Sequence, residues 1–318
     1  MKFTKIRAPD FDLEKTLDSG QVFHWQKAGD GFVGTVGDLP VYVEQRAGTL
    51  RVLVEGGAPA RPSERLGKGR GSQALAGPVQ DLVARYFALD HSLAEICDSF
   101  PNDPVMNAAR DFCHGLRIIR QPKWECLATF ICSSMKQVAH IRQISLALRK
   151  RFGEQRRIGN QLVYTFASPR RLARASEKAL RECKLGYRAK NLRATARLVG
   201  SGQANLEAWS ALSDVELRQQ LCALPGVGPK IANCAMLFAY ERLRAFPIDV
   251  WIERVLRQHY FSRRRKMSAQ RLRQFSETYF GEHRGYAQQY LFHHTRVGRR
   301  GDQAIEVNRR YLGRDERR

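Results

Sequence analysis

The stretch Leu224–Trp251, LPGVGPKIANCAMLFAYERLRAFPIDVW, decides the fold. Just upstream, Ser213 stands three residues before Glu216, the spacing of a capping box, and Leu217, Leu221 and Leu224 recur at helical period. That predicts one helix ending at the glycines. Pro229 suits the first turn of a second helix, on which Ile231, Cys234, Ala235 and Phe238 share a face. Between them, Gly226 and Gly228 allow a tight bend that exposes N–H groups at a helix N-terminus. Such a bend binds a phosphate without reading sequence, or is simply a helix corner.

Lys230 is out of place for a structural residue, because the positive end of a helix dipole disfavours an ammonium. The placement is expected to favour the neutral amine, a nucleophile able to form a Schiff base. A phosphate-binding lysine is the other reading. Asp249 precedes VWIERVLRQHY, a new helical pattern, so it serves as an N-cap or as a carboxylate kept ionised by helix N–H groups to stabilise a sugar cation.

The composition points to a nucleic-acid partner. Fifty-four Lys and Arg against 31 Asp and Glu give the 318-residue chain a formal charge of +23, the electrostatic footprint of phosphate binding. No apolar run reaches membrane-span length and no signal-peptide core opens the chain, so no membrane partner is expected. Localisation is expected to be cytoplasmic and nucleoid-associated in a bacterium, nuclear in a eukaryote. The seven cysteines are odd in number, lack a CxxC pair and include none after Cys234, which speaks against disulfides, zinc and a C-terminal iron–sulfur cluster.

Residues 21–54 alternate β-rich runs (QVFHW, FVGTV, VYVEQ, LRVLV) with glycine turns, an antiparallel meander. A Gly- and Pro-rich exposed loop is expected to follow. From about residue 79 the period is helical nearly throughout, broken at Ser168-Pro169, KLGYRAKN and GVGP. The expected class is α+β: an N-terminal antiparallel sheet with helices over 1–105, an all-α domain with the helix-hairpin-helix and the active site over 106–295, and a basic tail over 296–318. That tail's stretch from residue 296 carries eight arginines.

LPGVGPK with PIDVW resembles the signature of the helix-hairpin-helix DNA glycosylase superfamily. SGQVFHW (19–25), YFALDHSLAEI (86–96), GLRIIRQPKWECLATFICSS (115–134), LGYRAK (185–190) and GYAQQYLF (285–292) are similar to its 8-oxoguanine DNA glycosylase branch, so the resemblance spans roughly 15–295. It implies a bifunctional glycosylase and β-lyase acting on oxidised guanine in double-stranded DNA, as a monomer and with no required cofactor. A glycosylase of the same fold for another base, or a DNA-binding protein without catalysis, are the competing readings; the joint presence of Lys230 and Asp249 disfavours the second.

By the same resemblance, Lys230 attacks C1′ of a flipped nucleotide and Asp249 stabilises the sugar cation. The Gly20 carbonyl accepts from the N7–H that guanine lacks, Gln288 bonds the base edge, and Phe292 and Cys234 close on its two faces. Tyr187 and Arg188 fill the gap and meet the orphaned base, and the carbonyls of Cys222, Leu224 and Val227 could hold a structural monovalent or calcium ion. Met135 and His140 stand where the family usually has Asn and Arg to read the opposite cytosine, and Trp251 where it has a phosphate-contacting His. Weaker preference for cytosine opposite the lesion is the expected consequence.

Overall fold

The fold is seen in a computed structural model that describes residues 3–55, 76–134, 136–261 and 267–298. Five strands, β1 (Thr4–Arg7), β2 (Gln26–Ala28), β3 (Gly31–Val36), β4 (Leu39–Arg46) and β5 (Thr49–Val54), form one antiparallel sheet in the order β1-β5-β4-β3-β2. Alternation along β4 and β5 turns Val41, Val43, Leu50 and Val52 inward, where they are buried against Val83, Tyr86 and Phe87 at and just beyond the helix Ala76–Tyr86. The Gly- and Pro-rich loop read from sequence lies almost wholly outside the described residues, as does nearly all of the basic tail.

The run QVFHW is not a strand. Residues 21–25 pass through the core unpaired because the Gln21 amide takes over the work of a ladder, donating to the Arg117 carbonyl at 2.8 Å and accepting from Ile119 N–H at 2.7 Å. Val22 and Trp25 join the sheet's core while Phe23 joins that of the helices, so this segment laces the two together.

The second core is helical, with Leu127, Ile131, Leu172, Leu192, Leu217, Leu221, Met236 and Leu237 buried at its centre, and Leu93, Ile96 and Phe100 packed into it. One departure from all-helix is a β-ribbon, Gln155–Ile158 with Gln161–Tyr164. Its Ile158 and Val163 pack on Val33 and Leu53 of the sheet. Each strand is only four residues long and Arg156-Arg157 breaks the apolar alternation, so no strand signal rises above the flanking helices.

A buried charged group joins the two layers. Arg149 donates to Glu125, to Thr35 Oγ1 at 3.0 Å and to the Tyr164 carbonyl at 2.9 Å, and His24 lies 2.9 Å from the Thr35 carbonyl. Burial, with Arg149 close by, drives the His24 pKa well below its usual range, so the ring stays neutral.

Candidate active site

The hairpin forms as its sequence dictates. Ser213 and Glu216 exchange both capping-box bonds at the start of the helix Asp214–Cys222, and the helix Pro229–Ala239 begins with Pro in its first turn. Only one of the two glycines is demanded by conformation. Gly226 has φ +79°, and a Cβ there would lie 2.7 Å from Asn191 Cβ. Gly228 is extended (φ −98°) and a Cβ on it would meet open space, so its small size leaves room for an approaching group instead of relieving strain. Thr195 Oγ1 donates to the Pro225 carbonyl at 2.9 Å and ties the turn to the helix Arg188–Ser201.

Lys230, in the first turn of the second helix, sends its amine inward. Nζ lies 3.3 Å from Ser133 Oγ and 5.1 Å from the centroid of the Phe130 ring, both on the helix Lys123–Ser133. Phe130 is itself backed by Phe238, stacked at 5.5 Å. The amine forms no ion pair among the described residues, and its hydrogen-bonding neighbours, the Ser133 hydroxyl and the Cys234 thiol, are neutral. Cys234, one turn on, is held as a thiol: burial pushes its pKa up to about 11, against the pull of Lys230.

Asp249 caps the helix Val250–Val255 and accepts from Ile252 N–H at 2.8 Å. Burial raises its pKa; the Ile252 N–H and the Lys230 ammonium pull it back down. Lys230, Cys234 and Asp249 lie near enough for each to feel the others' charge.

Gly20 and Phe292 also meet. Gly20 has φ +86°, and a Cβ there would sit 3.0 Å from Phe292 Cε1 and 3.5 Å from Val138 Cγ2. Gln288 lies one turn before Phe292 on the helix 284–298, buried to 4 % exposure, with its Oε1 lacking a hydrogen-bond partner. A buried amide oxygen without a donor is costly unless something supplies one. The Gly20 loop is pinned from the same helix by Gln289, whose Nε2 donates to the Ser19 carbonyl at 2.9 Å, and by Arg296 donating to the Asp18 carbonyl.

Tyr187 is 63 % exposed, whereas Arg188 is buried at 5 %. The sequence places it at the start of a helix that packs on the helix Lys123–Ser133, and its guanidinium donates to the Ser134 and Leu185 carbonyls while stacking 4.4 Å from the Tyr187 ring. His140 is exposed and lines an open cleft with Lys136, Gln143, Ile144 and Lys184. Met135 lies outside the described residues. Trp251 carries the Arg254 guanidinium 5.4 Å over its ring. Around the bend, the Leu224 carbonyl already accepts from Val227 N–H at 3.1 Å, and Cys222 ends the first helix with its side chain exposed. Among the described residues no His, Cys, Asp or Glu side chains cluster as a metal-binding group.

Sequence reasoning assigned no part to Ser133, Phe130, Gln289 or Asn233, whose buried Oδ1 also lacks a partner. The run ICSS held the only trace of Ser133; the others emit no local signal.

Comparison with known proteins bears on the same residues. The N-terminal domain of 8-oxoguanine DNA glycosylases matches residues 4–127, and the HhH-GPD superfamily of base excision DNA repair proteins matches 128–279. The N-glycosylase/DNA lyase OGG1 of Arabidopsis thaliana is 30% identical over 304 residues, covering 91% of this chain and 78% of that one. The probable N-glycosylase/DNA lyase of Methanothermobacter thermautotrophicus is 26% identical, covering 92% and 96%. Among solved structures, MBOgg1 with a low-affinity DNA ligand superposes with TM-score 0.82 at 31% identity, covering 93% of this chain and 99% of that one. The Clostridium acetobutylicum 8-oxoguanine glycosylase/lyase, bound to double-stranded DNA with cytosine opposite 8-oxoG, gives 0.81 at 26% identity, covering 94% and 99%.

Proposed function

This chain belongs to the 8-oxoguanine DNA glycosylase family within the helix-hairpin-helix base excision repair superfamily, and on that premise we propose how its residues carry out excision. It is a DNA N-glycosylase with DNA lyase activity, acting on 8-oxoguanine in duplex DNA. Neither C1′ nor the lesion's edge is reachable in a stacked duplex, so the nucleotide must be extruded, at a cost of a few kcal/mol that the pocket recovers.

The Lys230 nitrogen bonds to C1′ as the bond from C1′ to the base breaks, and that electron pair leaves with the base, which takes up a proton. The nitrogen then loses a proton and the sugar ring opens to an imine. Removal of a C2′ proton expels the 3′ phosphate by β-elimination, and water hydrolyses the imine to return the amine. Asp249, coupled to Lys230 and held by the Ile252 N–H, stabilises the positive charge that the sugar carries as the base departs. The observation that carries this reading is the Lys230 amine turned toward the Ser133 hydroxyl and the Phe130 ring, with the Asp249 carboxylate coupled to it.

Gly20 offers its carbonyl to the N7–H of the oxidised base, Gln288 Oε1 receives a donor from the base edge, and Phe292 and Cys234 cover the faces of the ring. A guanine in the same place presents an N7 lone pair to the Gly20 oxygen and is repelled. Gly226 and Gly228 present main-chain N–H groups to a phosphate, with Trp251 nearby on the lesion strand. A cation, if bound, would be held by the Cys222, Leu224 and Val227 carbonyls and would supply positive charge for phosphate binding, outside the chemistry. Tyr187 fills the vacated stack. Arg188 supplies its remaining N–H groups to the partner base once the Ser134 contact rearranges.

With Met135 and His140 in place of two donors to the opposite cytosine, the preference for cytosine is weaker than in relatives that carry Asn and Arg there, since each base-edge contact is worth roughly 1–3 kcal/mol. Product analysis on 8-oxoguanine duplexes tests the reading. It predicts release of the free base together with a strand break ending in an unsaturated 3′ aldehyde; base release with no β-elimination under turnover contradicts the imine, and no release contradicts the substrate.

A further inference from the structure

One cleft of about 250 Å³ lies between the start of the helix Val138–Phe152 and the turn that precedes Tyr187, lined by Lys136, His140, Gln143, Ile144 and Lys184. Its polar lining is built for donating. Lys136 and Lys184 carry only donors, and Gln143 has its Oε1 occupied by Lys184 Nζ at 3.1 Å, which leaves the amide NH₂ to point elsewhere. No carboxylate lines it.

The backbone of Lys184 is the second observation. Its φ is +66°, in the left-handed region where a side chain is strained and glycine is not. It sits just past the C-cap of the helix Glu177–Glu182, a position that glycine most often fills. The lysine there turns its amine across the cleft to Gln143, a strained backbone position with a side chain set toward the cleft.

When a nucleotide is extruded, its partner base is left unpaired at the point where the exposed Tyr187 ring fills the stack. The cleft opens three residues before Tyr187. We propose that Lys184, with the Gln143 amide it orients, adds to the Arg188 contact a selection of the partner base, by requiring two adjacent hydrogen-bond acceptors on one edge of that base. This rests on the excision reading given above. Cytosine meets the requirement with O2 and N3, and guanine with O6 and N7; adenine sets its exocyclic amine beside both N1 and N7, so a donor always faces the ammonium. The preference that survives the loss of the family's Asn and Arg is therefore exclusion of adenine, and of thymine, whose N3–H stands between its two carbonyls, with guanine tolerated. Excision opposite adenine would fix a mutation once the strand is refilled, so the exclusion has a use.

The test is single-turnover excision of 8-oxoguanine opposite C, G, A and T by wild type, Lys184→Gly, Lys184→Arg and Gln143→Leu. Lys184 and Gln143 are both exposed, and glycine at 184 relieves the backbone, so the Gly variant is expected to melt at or above the wild-type temperature. The expected result is a wild-type C-to-A rate ratio that falls about tenfold in Lys184→Gly and in Gln143→Leu, and is kept in Lys184→Arg. A ratio unchanged by glycine at 184, or a wild type that excises opposite adenine as fast as opposite cytosine, overturns the proposal. Absence of excision opposite every base would instead refute the excision reading itself, so the two failures are distinct.

Discussion

At the scale of single residues, the site holds Asp249 at a thermodynamic disadvantage. Its folded pKa is raised by burial, so the unfolded chain releases this proton more readily than the folded one, and near neutral pH the ionised carboxylate subtracts from stability. Asn can still cap the helix through its side-chain oxygen. Asp249→Asn is therefore expected to melt at or above the wild-type temperature while base release falls by about 10²–10³, the scale of losing one preorganised electrostatic partner; a large drop in melting temperature with activity retained would contradict this. Gly20→Ala places a methyl 3.0 Å from Phe292 on a φ of +86°. It should lose about 1–2 kcal/mol in denaturant unfolding and lose lesion excision more steeply than its stability alone accounts for. Lys230 and Asp249 were legible in the sequence because each sits at a helix start, where capping and dipole rules make a residue type informative. Ser133, Phe130 and the burial of Arg188 were not, since those contacts join residues far apart in the chain.

At the scale of elements, the two hairpin glycines separate shape from function. Gly226→Ala forces a left-handed φ on a side chain that also collides with Asn191, so the hairpin should be destabilised by about 1–3 kcal/mol and DNA affinity lost with it. Gly228→Ala is extended and faces open space, so the fold should be untouched while affinity for undamaged duplex falls. Equal melting losses in the two variants would show that the turn has been misread. The capping box at Ser213, the Pro at the second helix start and the meander's turns were all readable from local sequence. The unpaired run 21–25 and the β-ribbon were not: Gln21 replaces a ladder with side-chain bonds, and the ribbon is too short to show a period of two.

At the scale of the whole molecule, two cores are laced by residues 21–25, by the Arg149–Glu125–His24 group and by the helix 284–298, which holds the Gly20 loop from one side while presenting Gln288 and Phe292. His293 on that helix has its pKa lowered to about 4 from 6.5, by burial first and then by Arg296, with Asp18 opposing. The folded state refuses a proton that the unfolded chain accepts, so this part of the stability is complete above pH 6.5 and lost as pH falls from 6.5 toward 4, on the order of 2–3 kcal/mol. Denaturant melts across that range should show the loss, and His293→Gln should flatten it; an unchanged slope would mean that His293 is protonated in the fold. Fold class and partner were legible at this scale because net charge and the change of period from two to helical are properties of whole segments. The closeness of Gly20 to Phe292 was legible only through the family resemblance, because long-range packing creates it and no local pattern marks it. The central claim is that one amine of this molecule bonds to the sugar. Borohydride reduction during reaction with an 8-oxoguanine duplex, followed by peptide mapping of the covalent adduct, tests it most directly: the account predicts a deoxyribose remnant on Lys230 and no adduct from Lys230→Gln, and a remnant on any other amine, or an undiminished adduct from that variant, would contradict it.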